Sequence, residues 1–296
     1  MRITAATVYR DASASIERAS ERLLEYQQQV ASGKRINRAS DDPDGTAASI
    51  GERAEVAAVE QYTRTSDSVT ARLTVMDTAL SDIIDRLTAA QVSVISAQGT
   101  KTAGQREVAA LTLEGIKQAL LSDLNTSFRG AHLFAGADSA DPPFTMSGNT
   151  VSPYQGSTRE VDVDIDQTRS VTIGIDGSTI ARGAAASDIF AVLDSAIAAA
   201  RAGDAAGLGQ AQADLAAAFD RATNAQMRVG TSLSSIEALQ SQLTDRRLAG
   251  KARIAKLEDA NLATAITGMN QADASYRAAL GATGKITQLS LMDYLS

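Results

Sequence analysis

The apolar positions near the start of the chain fall on one helical face. Ile16, Ala19, Leu23, Tyr26 and Val30 recur at spacings of 3, 4, 3 and 4, the seam of a helix that packs against another helix. The pattern predicts a helix over about residues 5–31, ended by Ser32-Gly33, since glycine readily takes the left-handed conformation that closes helices. A loop follows over 34–40. Asp42 then reads as an N-cap, Pro43 as the first helical residue and Asp44 as a negative charge beside the positive end of the helix dipole. From there the pattern predicts a helix to about residue 98, with Leu73, Met76, Leu80, Ile83, Ile84 and Leu87 on one side. Gly99 and Gly104 bracket a turn, and a further helix is expected over 105–127.

The period changes in the middle of the chain. Val161, Val163 and Ile165 alternate with Asp162, Asp164 and Asp166, and Val171, Ile173 and Ile175 repeat the alternation. Period two with β-branched residues on one face predicts half-buried strands in a small antiparallel sheet. Helical patterning resumes near Ser187, breaks over 203–209 and then runs almost to the end. One seam there is Val229, Leu233, Ile236 and Leu243; the other is Leu262, Ile266, Met269, Tyr276 and Leu280, with Asp273 in its gap. The four prolines (Pro43, Pro142, Pro143, Pro153) leave 44–141 and 154–296 free of the strongest helix breaker.

The expected fold is therefore mainly α. Long terminal helices form a coiled-coil or helical-bundle core, and a small β-rich module is inserted between them. Five segments are expected: an N-terminal core helix and loop over 1–45, helical rod segments over 46–129 and 186–250, the β-rich module over 130–185, and a C-terminal core helix over 251–296.

Composition narrows the function. Hydrophobic residues make up 44% of the 296 residues but aromatic ones only 4%, with no Trp. Small and aliphatic side chains of this kind let helices approach closely, whereas a deep substrate pocket calls for more large ones. A net charge of −7 argues against a nucleic-acid footprint. The basic run Arg246, Arg247, Lys251, Arg253 and Lys256, edged by Asp245 and Glu258, reads as a solvated helix face. The chain has no Cys, which excludes disulfides and thiolate chemistry. Neither a cleavable signal sequence nor a membrane span is expected.

Candidate chemistry is sparse. His132 is the only histidine and supplies neither a catalytic triad nor a multi-histidine metal site. Asp162, Asp164 and Asp166 open like a calcium loop, but Gln167 and Ile173 stand where that loop needs Gly and Glu. No phosphate-binding, dinucleotide, zinc-protease or nucleophile-elbow motif is present. No enzyme activity, cofactor or metal is expected.

Two stretches carry a resemblance. Residues 24–50, LEYQQQVASGKRINRASDDPDGTAASI, resemble the N-terminal signature of bacterial flagellins, and residues 257–295 resemble the matching C-terminal end. HLFAG over 132–136, DPPF over 141–144, the stretch 186–204 and the ending SLMDYL over 290–295 resemble the hook–filament junction members of that family. The resemblance implies a ring of copies joining hook-associated protein 1 to filament flagellin. It also implies export through the flagellar type III apparatus with a chaperone on the C-terminal region, and an extracellular place in the flagellum. Carried onto this sequence, it implies core contacts at Ile16, Leu23, Tyr26, Val30, Leu262, Ile266, Met269, Tyr276 and Leu280, and subunit contacts at Arg35, Asn37, Asp41 and Asp42. A filament flagellin is the alternative, and a coiled-coil adhesin or signalling module a more distant one.

Overall fold

In the computed structural model, residues 5–99, 101–166, 168–182 and 188–295 are described. Gln167, Ser187, the start of the 186–204 stretch and the side chains of 290–295 lie outside the described residues. Seven helices and six short strands follow in order among the described residues. They are α1 (Ala5–Ser32), α2 (Pro43–Ala97), α3 (Ala103–Leu124), β1 (Ser127–Phe128), β2 (Ala131–His132), β3 (Met146–Ser147), β4 (Thr150–Val151), β5 (Val161–Asp166), β6 (Arg169–Gly174), α4 (Gly177–Ala181), α5 (Ile189–Ala202), α6 (Ala205–Glu258) and α7 (Leu262–Leu295). The mainly α fold with a small β module is borne out. The chain divides into two compact units, one made of residues 1–60 with 244–296, the other of 61–243.

In the second unit, α2 buries Leu73, Met76, Leu80, Ile83, Leu87, Ala90 and Val94. These spacings alternate 3 and 4 without a fault, so one stripe faces inward over six turns. α6 answers with Leu208, Ala211, Leu215, Ala218, Ala222, Ala225 and Val229 on the same alternation. Gln98 donates to Gln212 at 3.2 Å and Gln240 to Asp67 at 3.0 Å, so the two helices run antiparallel. Alanine at four of these α6 positions keeps them close. Ile83 is fully buried, and Ile83→Val removes one methylene. Urea unfolding of this unit is expected to show a loss of about 1 kcal/mol.

α3 starts at a capping box, Thr102 accepting from the Gln105 amide while the Gln105 side chain accepts from the Thr102 amide. It ends at Leu124, three residues before the expected 127, because Asn125 turns its side chain to the Phe144 backbone on both sides. The expected β module is three separate antiparallel ribbons rather than one sheet. β5 and β6 pair as the alternation predicts, Val163 opposite Val171. The same unit holds an aromatic cluster: Phe144 meets Tyr154 at 5.5 Å and Phe190 at 5.4 Å between ring centroids. The break after α5 is shorter than 203–209. Gly203 caps α5 at φ +70°, Asp204 accepts from the Ala206 amide, and α6 starts at Ala205.

Lys117, on α3, is 1% exposed. Its ammonium donates to the Asn149 carbonyl at 2.6 Å and to Asp194 at 2.7 Å, fastening α3 to the β3–β4 turn and to α5. A buried cation is tolerable only with such partners.

Candidate assembly site

The first unit holds the terminal helices and the loop carrying the most distinctive motif. α1 and α7 pack antiparallel, with Tyr26 against Gly268 and Ala19 near Ala272 and Ser275. The inward positions are small: Ala19, Ala265 and Ala272 are buried, while Ile16, Leu23, Tyr26, Val30, Met269 and Tyr276 are half-buried. Leu262, Ile266 and Leu280 remain 45–49% exposed. Asp273 sits beside the seam and pairs with Arg277 at 2.9 Å.

Gly268 is what lets the Tyr26 ring lie on α7. A Cβ there would come within 2.5 Å of the ring. Gly268→Ala is expected to destabilise the α1–α7 pair by about 2 kcal/mol, with Tyr26→Ala restoring the spacing. Hydrogen exchange of the α1 amides measures both.

Between α1 and α2 the loop is tied down at nearly every residue. Gly33, at φ +71°, turns the chain out of α1. The Arg35 amide donates to the Glu258 carbonyl at 2.6 Å, and the Ala260 amide to the Gly33 carbonyl at 2.9 Å. Lys34 and Asp259 form an isolated β-bridge, and Ile36 is buried. The Asp41 carboxylate accepts from the Asn37 and Arg38 amides at 3.0 and 2.8 Å, and the Asn37 side chain donates to the Lys34 carbonyl. Arg35 pairs with Asp42 at 3.1 Å and also donates to the Leu257 carbonyl. Asp42 caps α2 through the Gly45 amide at 2.8 Å. That bond and Arg35 hold its carboxyl below the usual range.

Under the loop sits Glu258, 5% exposed. Its carboxylate accepts from Arg53 at 3.0 and 2.6 Å and from Lys34 at 2.9 Å. The Arg53 hydrogen bonds, with Lys34 and Ser49 adding to them, pull its pKa down to about 2 against the opposing effect of burial. One side chain thus fastens α1's exit loop, α2 and the end of α6. Three residues later Asn261 caps α7, accepting from the Ala263 and Thr264 amides.

Four of the residues singled out from sequence therefore come together here: Arg35, Asn37, Asp41 and Asp42. Sequence reasoning missed Glu258, Lys34 and Arg53. It also missed the break at 259–261, where Asn261 between helical stretches was the available signal. Part of the basic run is neutralised along the adjoining α2 edge, with Arg253 on Glu52 at 2.7 Å and Lys251 on Glu60 at 3.6 Å. His132 turns Nδ1 to the Asn125 carbonyl at 2.8 Å. No cluster of metal-ligating residues occurs among the described residues, and no described helix is long and apolar enough to cross a membrane.

The terminal pair and its loop have counterparts in known proteins. Residues 3–139 match the bacterial flagellin N-terminal helical region. Flagellar hook-associated protein 3 of Escherichia coli is 26% identical over 94% of this chain and 96% of its own length. The protein of the same name from Salmonella typhimurium is 25% identical over 94% and 95%. Its relatives are flagellar hook-associated proteins. The fold agrees. A putative flagellar hook-associated protein from Vibrio parahaemolyticus superposes with a TM-score of 0.70 at 16% identity, over 74% of this chain and all of that one. The flagellar junction protein from Legionella pneumophila gives 0.62 at 12% identity, over 72% and 100%. The sequence match to the hook-associated relatives spans both terminal helices and the middle module together.

Proposed function

We propose that the chain is a junction protein of the bacterial flagellum, set between hook-associated protein 1 and the flagellin filament as a ring of its own copies. That it is a structural component of the flagellum follows from relatives that align over nearly its whole length. The observation that carries the finer reading is the incomplete apolar surface of the α1–α7 pair. Leu24, Leu262, Ile266 and Leu280 remain 45–54% exposed. An isolated helix pair with small residues in its seam is marginal in water, and neighbouring copies would cover what it leaves open. In this reading Ile16, Leu23, Tyr26, Val30, Met269 and Tyr276 hold the pair, while Leu262, Ile266 and Leu280 meet other subunits. Arg35, Asn37, Asp41 and Asp42 shape the loop that partners touch. A flagellar export chaperone holding the C-terminal helix before assembly fits the same exposed stripe, and the assembled protein is extracellular.

Electron microscopy of cells lacking the protein tests this. Bare hooks with flagellin shed into the medium are expected, and normal filaments would defeat the reading. Polymerisation of the purified chain alone into long filaments would favour a filament flagellin instead.

A further inference from the structure

The β5–β6 ribbon in the second unit separates charges of opposite sign. On one side, Val163 and Ile173 line an open groove of about 570 Å³ together with Arg64, Arg72, Phe128 and Arg129. All three arginines there hold neutral partners. Arg64 donates to the Gln61 side chain at 2.7 Å and Arg72 to the Ile173 carbonyl at 2.8 Å, while Arg129 lies over the Phe128 ring at 5.2 Å. None forms an ion pair among the described residues, in a chain of net charge −7. Burial pushes the Arg72 guanidinium down with no carboxylate opposing it.

Arg129 is also the one described non-glycine residue at positive φ, +53°. It occupies the tight turn between β1 and β2, where Asn, Asp or Gly is the usual occupant. A bulky residue kept in that conformation, with its guanidinium stacked on a ring, points to use of the cation. On the opposite side of the ribbon, strand alternation turns Asp162 and Asp164 away from Val163. Both are exposed, and Asp162 accepts from the Thr172 hydroxyl at 2.7 Å. Neither is paired with a described lysine or arginine.

We propose that copies of this chain associate head to tail, the Arg64–Arg72–Arg129 groove of one copy taking the Asp162–Asp164 face of the next copy's ribbon. Two different patches that complement each other make a heterologous contact, and repetition of such a contact closes into a ring when the rotation allows. Opposite charges across it fix register and reject wrong partners. The proposal rests on the junction reading, which supplies the neighbouring copies.

The native chain has no cysteine, so introduced thiols report cleanly. Ser68, which lines the groove, and Ser170, the exposed cross-strand partner of Asp164, are replaced together as Ser68→Cys and Ser170→Cys in the full-length protein. Flagella are then purified from cells making the variant and oxidised. A ladder of crosslinked multimers is expected from the double variant, and monomer from either single variant. Incorporation into flagella without a ladder would overturn the head-to-tail contact and leave the junction reading standing. Absence of the native chain from flagella would overturn both. As a second arm, Arg64→Glu with Arg129→Glu is expected to lower motility at least tenfold, and adding Asp162→Arg with Asp164→Arg to restore it. Failure of that restoration, with all variants folded by circular dichroism, would count against the pairing.

Discussion

Glu258→Lys is expected to free the 33–42 loop from the end of α6 and to destabilise the first unit by about 3 kcal/mol. Removing one partner of a buried pair leaves the other charges uncompensated, and here a third cation would join Lys34 and Arg53 at one spot. Both cations keep part of their surface in water, 42% and 53% exposed, which holds the loss to about 3 kcal/mol. Amide exchange at Arg35 and Ala260, whose N–H groups bond across the same junction, should rise together. Unchanged protection there would show that the backbone bonds suffice. The native protein carries the same dependence in its pH response. Glu258 has a folded pKa lowered to about 2 from the ordinary 4.5. Its contribution is complete above the ordinary value and disappears as the pH falls towards the folded one. Glu258→Gln should flatten the stability of this unit across that window.

A larger loss is expected from Gly136→Ala in the second unit. Gly136 adopts φ +61°, and a Cβ there would collide with the Ser157 carbonyl oxygen and lie 3.0 Å from that of Arg159. Both neighbours are backbone and cannot swing aside. The surrounding bonds share the site: Ser157 donates to the Ala135 carbonyl at 3.0 Å, and the Tyr154 hydroxyl bridges the Phe134 and Ser157 carbonyls. Combining steric overlap with left-handed strain should cost about 4 kcal/mol. Thermal unfolding followed through the tyrosine signal of this module measures it. A shift of under about 1 kcal/mol would mean that the backbone relaxes there.

These two residues differ in how far sequence exposes them. Gly136 closes the HLFAG motif, and the structure supplies its reason: Leu133 and Phe134 are fully buried and the glycine makes a turn that a side chain forbids. Glu258 appears in sequence only as the edge of a basic run, because its partners arrive from positions 34 and 53. The α2 seam was legible throughout, since large aliphatics mark every inward position from Leu73 to Leu87. The α7 seam was legible only in part, at Met269 and Tyr276. Its closest contacts are made by Ala265, Gly268 and Ala272, so the side chains that let α1 approach are those a hydrophobic pattern passes over. Leu262, Ile266 and Leu280 stand out in the pattern yet stay exposed in this chain.

The alternation of 3 and 4 in the α2 and α6 seams repeats every seven residues, whereas an undistorted helix needs 7.2 for two turns. A stripe that advances by seven drifts backward around its own helix by about 20° per repeat. From Leu73 to Val94 that drift spans three repeats, so α2 stays on its partner only by winding left-handed. Handedness is thereby written into spacing alone. Inserting four residues after Ala90 would locally unwind that coil, a change in chirality made without altering a single side chain of the seam.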